Sequence, residues 1–117
     1  MKVWGRPGVY EGELVGGEPE GVGEFRMNNG WRYQGEWRAG KQEGRGTHFR
    51  SNGLKRYEGE WRAGMKEGRG TLFYDDGSKV YEGEWRAGNY EGRGTSFSPW
   101  GAVMKSGVWS EGRFLHE

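Results

Sequence analysis

The fold of this chain is decided by the stretch Tyr57-Glu58-Gly59-Glu60-Trp61-Arg62-Ala63-Gly64, which is followed two residues later by Glu67-Gly68-Arg69-Gly70-Thr71. The same pattern begins again at Tyr33 and at Tyr81, each 24 residues away, and a looser copy begins at Tyr10. The second and third units share 15 of 24 positions, as do the third and fourth. Self-similarity at a period of 20–50 residues is the signature of a repeat architecture and takes precedence over any local motif.

The repeat divides almost the whole chain into similar units. Full units span 10–32, 33–56, 57–80 and 81–104, and a partial unit spans 105–117. Residues 1–9 are interpreted as the remainder of an earlier unit or as an N-terminal cap. Atypical terminal units are expected at the ends of an array, where a repeat meets solvent instead of a neighbour.

Glycine and aromatic residues set the composition apart. The 117 residues include 25 Gly, 7 Trp, 6 Tyr and 5 Phe, with a mean hydropathy of −1.08 and no cysteine. Disordered chains are poor in aromatic residues, so the polarity alone does not indicate disorder. There is no apolar secretory segment and no apolar run long enough for a membrane-spanning helix. We therefore expect a cytoplasmic or membrane-peripheral location. The net charge of +1 gives no global attraction to nucleic acid, which is not an expected partner.

Each unit has the pattern of a β-hairpin. Tyr57, Gly59 and Trp61 alternate with charged residues, as in a half-buried strand. Ala63-Gly64 and Asp76-Gly77 are turn signals at the two ends of the hairpin. Five or six glycines per unit would destabilise a helix by about 1 kcal/mol each. The sequence therefore predicts an all-β fold, a single-layer elongated antiparallel sheet of stacked hairpins.

Counting outward from a two-residue turn at Ala63-Gly64 predicts a register. It places Gly59 opposite Gly68, Tyr57 opposite Gly70, and Glu58 opposite Arg69. The Tyr ring would then cover a bare glycine, and opposite charges would pair across the other face, as Glu82 and Arg93 would in the next unit. A bulged loop could shift this register by one residue.

The residues resemble the MORN repeat (membrane occupation and recognition nexus). The resemblance rests on Tyr-x-Gly-x-aromatic-x-x-Gly-x-x-x-Gly-x-Gly, closed by Asn/Asp-Gly about seven residues later, and it covers four units and part of a fifth. The usual His before the Gly-x-Gly pair is replaced by Glu43, Glu67 and Glu91. The resemblance implies a twisted, grooved sheet of stacked hairpins. It also implies non-catalytic scaffolding or partner binding and, in some members, contact with acidic phospholipids.

The repeated rings are the first candidate partner site. Most simply, they pack on glycine and on each other as the core. The functional hypothesis is that they line a groove for an extended protein segment, because equivalent rings two strands apart are separated by about 9.5 Å and three extended residues advance about as far. The candidate residues are Tyr33, Trp37, Tyr57, Trp61, Tyr81 and Trp85.

The second unit supplies the alternative site. It holds six basic and two acidic residues, whereas 10–32 hold two basic and five acidic. A solvated face explains this charge about as well as peripheral binding to acidic phospholipid does. The candidate residues are Arg38, Lys41, Arg45, Arg50, Lys55 and Arg56. At the C-terminal end of the sheet, two alternatives stay open for Trp109, Phe114 and Leu115: they cap the last strand, or they pair with a second copy to give a homodimer.

No pattern indicates an enzyme. Gly44-Arg45-Gly46-Thr47 lacks the Lys-Ser/Thr and the following helix of a phosphate loop. Glu60 and Glu67 would lie opposite one another, but on a solvated face beside arginines. His48 and His116 are isolated. We therefore predict no catalytic residues, no metal site and no cofactor.

Overall fold

The protein is a single open antiparallel sheet. The computed structural model describes all 117 residues and contains only strands and turns. Eleven strands pair strictly in chain order, so no connection crosses the sheet. The molecule is elongated, with extents of 47 × 26 × 20 Å, and it contains no helix that could span a membrane. The predicted fold class is confirmed. The strands are β1 (Lys2–Val3), β2 (Arg6–Val15), β3 (Glu18–Met27), β4 (Arg32–Arg38), β5 (Lys41–Phe49), β6 (Lys55–Arg62), β7 (Met65–Phe73), β8 (Lys79–Arg86), β9 (Asn89–Phe97), β10 (Val103–Ser110) and β11 (Arg113–His116).

Each unit contains the two predicted turns, one between the two strands of its hairpin and one that leads to the next unit. Ala63 and Gly64 both have positive φ, at 49° and 85°, which is the geometry of a type I′ turn. At the other end Gly77 has φ 90°, and its amide donates to the Tyr74 carbonyl oxygen. The Asp76 side chain closes the same turn by accepting from the Ser78 amide at 2.9 Å. Both turn predictions are confirmed.

The predicted register is wrong beyond the first two pairs after the type I′ turn. Trp61 pairs with Lys66, but Gly59 then pairs with Gly70 and Tyr57 with Leu72, because the register shifts between Gly59 and Trp61. One residue of β6 therefore faces three of β7. The predicted Glu58–Arg69 and Glu82–Arg93 pairs do not form, since Glu58 faces Thr71 and Glu82 faces Thr95. The glutamates instead form ion pairs of 2.8 Å with Lys55 and Lys79 on their own strands.

The bulge is built from residues that recur in each unit. Gly68, at its centre, has φ 69°, a left-handed conformation that favours glycine. The Glu60 carboxylate accepts a hydrogen bond from the Arg69 amide at 2.5 Å. Period-two counting cannot detect the extra residues, because it assumes that the ladder continues without interruption.

The shifted register aligns one glycine from each of nine successive strands, β2 to β10. A tyrosine ring covers this row in each full unit, as predicted, although the backbone partner of Tyr57 is Leu72. A Cβ atom added to Gly70 would lie 2.0 Å from the Tyr57 hydroxyl oxygen. A side chain at Gly70, or at the equivalent Gly23, Gly46 and Gly94, would therefore displace a ring, whereas one at Gly107 would meet the backbone of His116. The row consists of Gly12, Gly23, Gly35, Gly46, Gly59, Gly70, Gly83, Gly94 and Gly107.

The core is a row of alternating Tyr and Trp rings on one face of the sheet, which we call the aromatic face. Neighbouring rings meet edge to face with centroids 5.0–5.5 Å apart. Each Trp of the row after the first unit donates its indole N–H to a glycine carbonyl of the preceding unit, as Trp61 does to Gly46 at 3.0 Å. The units are thus joined by rings and by hydrogen bonds. The row runs Tyr10, Trp37, Tyr33, Trp61, Tyr57, Trp85, Tyr81, Trp109.

The opposite face, which we call the charged face, carries the second set of rings. Phe49 pairs with Arg32, one position along from the Tyr33–His48 pair, so its ring points away from the aromatic face. The Arg32 guanidinium lies 4.1 Å over this ring. Phe73 and Phe97 occupy the equivalent positions and are also half-buried.

Candidate functional site

The six rings predicted to line a groove form the floor of the aromatic face. The three tyrosines have no exposed surface, and the three tryptophans are at most 5% exposed. A partner cannot reach the Tyr rings in this conformation, because each is enclosed by the Trp rings on both sides and by a side chain above. Their part in partner binding stays a prediction, and in the structure they support the side chains that lie above them. The residues are Tyr33, Trp37, Tyr57, Trp61, Tyr81 and Trp85.

Burial holds these tyrosines in the neutral form. Removal from water raises the pKa of Tyr33 and Tyr57 well above the usual range and raises that of Tyr81 to about 12. Each hydroxyl donates to the carbonyl oxygen three residues later, as Tyr57 does to Glu60 at 3.0 Å. The floor therefore carries no charge at neutral pH.

A second layer of side chains lies on the floor, and it comes from one position of the repeat. This position is the second residue after the type I′ turn, and we call its occupants the cover residues. Tyr90 stacks on Tyr81 with centroids 3.8 Å apart and planes 5° from parallel. Lys66 places its ammonium nitrogen 5.4, 5.9 and 5.7 Å from the rings of Tyr57, Trp61 and Trp85. From the second unit onward, the cover residues are Gln42, Lys66, Tyr90 and Phe114.

Trp4 covers the floor near the N-terminal end. It lies in the turn between β1 and β2, yet its indole N–H donates to the carbonyl oxygen of Gly64, 60 residues away, at 3.0 Å. Its ring centroid is 5.6 Å from that of Trp61 and 6.2 Å from that of Tyr33. Gln42 is only 1% exposed in this region. The open part of the aromatic face therefore begins at Lys66.

A second series of side chains borders the floor. His48, Leu72 and Ser96 pair with the three floor tyrosines. His48 lies between two indoles, with ring centroids 4.8 Å from Trp4 and 5.0 Å from Trp31. Its burial, and then the nearby charges of Lys66, Arg56 and Arg50, lower the pKa of His48 to about 4. His48 is consequently a neutral packing residue at physiological pH.

Two cations on the aromatic face have no acidic partner. Burial, followed by repulsion from Arg56, lowers the pKa of Lys66. Burial is also the leading cause of the lowered pKa of Arg56, whose guanidinium donates to the Phe73 carbonyl oxygen at 3.0 Å. Neither takes part in any of the five ion pairs. The charge of Asp75, which is paired with Arg50, partly offsets the lowering of the Arg56 pKa, but no carboxylate forms an ion pair with Lys66 or Arg56. The centre of the aromatic face therefore carries an excess of positive charge.

The basic residues of the second unit do not form one patch. Arg38 and Lys41 are paired at the type I′ turn end of β4 and β5, and the other four lie elsewhere. Arg45 is exposed on the charged face. Arg50 joins Arg56 on the Phe73 carbonyl oxygen, at 2.9 Å, and also bridges to Asp75. Lys55 is held by Glu58. The six basic residues are thus close together in the sequence but dispersed in the structure.

The repeated carboxylates have separate structural partners. Glu60 caps the bulge, as described above, whereas Glu67 accepts from the Ala87 amide in the turn of the next unit at 2.9 Å. Glu43 accepts from the Ala63 amide in the same way at 3.3 Å. No group of three or more His, Cys, Asp or Glu side chains is arranged to hold a metal ion.

A family model described as "MORN repeat" matches four consecutive segments, at residues 10–32, 33–55, 57–79 and 81–103. The chain belongs to the MORN-repeat family. This match confirms the resemblance based on Tyr, Trp and Gly spacing, and the replacement of the usual His by Glu43, Glu67 and Glu91 does not disturb it. Membership suggests a binding or scaffold module. A comparison with curated proteins gives no significant match.

The accessible residues that lie on the floor were not among the predicted candidate residues. Trp4, Lys66 and Tyr90 lie above the MORN floor, and sequence reasoning selected what repeats, which is the floor itself. The positions that vary between the units, and not those that repeat, would have pointed to these residues. At the cover position Gln42, Lys66 and Tyr90 differ completely, inside units that otherwise share most positions.

Proposed function

We propose that this MORN array is a non-catalytic binding module that holds an extended protein segment across the strands of its aromatic face. The observation that supports this function is the unbroken Tyr–Trp row on one face of a single-layer sheet. The structure contains no helix, and beyond Trp4, from the β1–β2 turn, this face is covered by side chains of the sheet itself, among them Lys66 and Tyr90.

The spacing of the row suits an extended ligand. Equivalent residues recur on every second strand, about 9.5 Å apart, because neighbouring strands lie about 4.8 Å apart. Three residues of a polyproline-like or β-like segment advance about 9.3–10 Å. Such a segment can therefore present one side chain to each unit, with two residues between contacts.

The proposed contact surface is the layer on the floor. Trp4 is 38% exposed, and Lys66 and Tyr90 are half-buried, so all three are accessible from solvent. A rigid aromatic floor holds these residues in place and reduces the ordering cost of binding. We expect Tyr57 and Trp61 to act by supporting this surface.

A peptide-display selection tests the proposal. The wild-type chain is used to select from random peptides of about 12 residues, which span about 40 Å when extended. Enriched peptides are then titrated against Tyr90→Ala and against Thr71→Ala, a control on the charged face. We expect Tyr90→Ala to weaken binding about tenfold and Thr71→Ala to leave it unchanged. Failure to enrich any peptide, or equal binding by both variants, would refute the proposal.

Vesicles and light scattering examine the remaining expectations. Because the basic residues of the second unit are dispersed, we expect no salt-sensitive sedimentation with vesicles containing acidic phospholipid. Sedimentation lost on Arg38→Ala/Lys41→Ala would instead favour the lipid alternative. Trp109 and Phe114 pack on each other with centroids 5.2 Å apart, while Leu115, in the edge strand β11, is 55% exposed. Light scattering distinguishes the two alternatives for this end of the sheet. A dimeric mass of wild type that the Leu115→Lys variant loses would support the homodimer, and a monomeric mass of both would support the cap.

A further inference from the structure

The units differ on the aromatic face at positions that the fold does not dictate. Across the second to fourth units, the cover position holds Gln, Lys and Tyr, and the position paired with the floor tyrosine holds His, Leu and Ser. The floor itself is the same in all three units. On the charged face, the arginine at the end of the bulge is also the same in all three. The side chains above the floor thus vary between units while the floor residues stay the same. This is the arrangement expected if the varying side chains select a ligand.

Lys66 is a charged cover residue that forms no ion pair within the chain. Its ammonium group lies within 6 Å of three ring centroids and is attracted by the negative faces of those rings. Yet it has no carboxylate partner, and burial, followed by the nearby positive charge of Arg56, lowers its pKa. A buried charge is normally paired. The missing counterion is therefore the group that a ligand can supply.

Tyr90 defines the neighbouring contact. It occupies the same position as Lys66 one unit further on, two strands away, and presents the outer surface of a ring stacked on Tyr81. A flat ring of this kind receives apolar or proline side chains. The distance of about 9.5 Å between equivalent positions corresponds to three residues of extended chain.

We infer that Lys66, together with Arg56, selects the partner by receiving the carboxylate of an Asp or Glu in an extended protein segment, with an apolar or proline residue three positions away resting on Tyr90. This inference rests on the proposed function and names the ligand chemistry of the same face. The carboxylate neutralises two cations that form no ion pair within the chain. The aromatic floor excludes water from one side, so the ion pair is screened less than an exposed one.

The test compares charge reversal on the two faces. Peptides of about 12 residues are selected with wild type, with Lys66→Glu and with Arg69→Glu, which makes the same change of charge on the charged face. We expect wild type and Arg69→Glu to enrich an acidic residue three positions from an apolar one, and Lys66→Glu to enrich Lys or Arg there. Replacing the acidic residue of a selected peptide by Lys should weaken wild-type binding at least about tenfold and restore binding to Lys66→Glu.

The outcomes separate the inference from the function on which it rests. Lys66→Gln is included because glutamine already occupies the equivalent position 42, so the fold should accept it even if Lys66→Glu does not fold. Loss of acidic preference in Lys66→Gln supports the inference. Peptides that show no acidic preference, but lose affinity in Tyr90→Ala, would overturn it and leave the proposed function intact. Wild type that enriches no peptide would overturn both. Binding to anionic vesicles that Lys66→Gln abolishes would assign the two cations to a lipid headgroup and also overturn the inference.

Discussion

Replacement of Gly70 by alanine probes how the Tyr57 ring packs on the glycine of the facing strand. An added Cβ atom would lie 2.0 Å from the hydroxyl oxygen of Tyr57 and 2.4–2.6 Å from two of its ring carbons. Carbon atoms in contact normally lie about 3.5–4.0 Å apart, so the ring would have to move by more than 1 Å. Trp61 and Trp85, with centroids 5.0 and 5.3 Å away, enclose the ring and oppose that movement.

The expected cost follows from these contacts. Overpacking a rigid core costs about 1–3 kcal/mol. Displacing the ring also breaks the 3.0 Å hydrogen bond from the Tyr57 hydroxyl to Glu60, for about 1 kcal/mol more. Gly70→Ala should therefore lower the free energy of unfolding by about 3 kcal/mol. Backbone strain adds little, because Gly70 does not have a positive φ.

Urea unfolding of a double-mutant cycle measures the effect. In a Tyr57→Ala background the obstructing ring is absent, so Gly70→Ala should cost less than about 0.5 kcal/mol. Gly77→Ala is the control, since a Cβ there meets nothing within 4 Å and only its φ of 90° is unfavourable, for about 1 kcal/mol. Equal costs of Gly70→Ala in the two backgrounds would show that the ring does not lie on Gly70.

Two further predictions concern the contacts between units and the buried histidine. Glu67→Ala should destabilise the protein by about 1 kcal/mol in urea unfolding, because it removes the acceptor for the Ala87 amide. Glu91→Ala is the control, since Glu91 occupies the equivalent position without such a bond, and it should be near neutral. Equal losses of stability in the two variants would contradict the role given to Glu67. The pKa of His48 is lower in the folded chain, at about 4, than the ordinary value of 6.5, so the unfolded state binds more protons and stability falls as pH falls through this window. Relative to His48→Leu, which copies the residue of the next unit, wild type should lose about 2 kcal/mol between about pH 7.5 and about pH 5. Parallel pH profiles for the two proteins would show that His48 is not held neutral by the fold.

Much of the architecture could be predicted from local patterns. The period of 24 residues, the alternation from Tyr57 to Trp61 and the two turn signals predict stacked hairpins, and the structure confirms them. The placement of each tyrosine ring over a glycine was also correct. These features are local, because strand alternation and turn geometry depend on residues that are close in sequence.

The pairing beyond the bulge was wrong because a bulge is a property of two strands. The extra residues on β7 are accommodated by the positive φ of Gly68 and by the cap from Glu60. Gly68 lay within the repeated pattern, but a glycine there is equally consistent with a bare position in a regular ladder. Only the mutual packing of β6 and β7 selects between these two readings.

By itself, the sequence determined the repeat, its hairpins and the face on which the rings lie, because these follow from a period of two within strands and from a glycine aligned with every tyrosine. The tertiary structure decided what remains accessible. Stacking of neighbouring units buries the Tyr57 ring completely and leaves Lys66 above it without an acidic partner. Trp4 reaches the turn of the third unit and closes the N-terminal part of the same face. Burial and unpaired charge arise between segments distant in the chain, so the surface proposed to meet a partner is set by how the units stack.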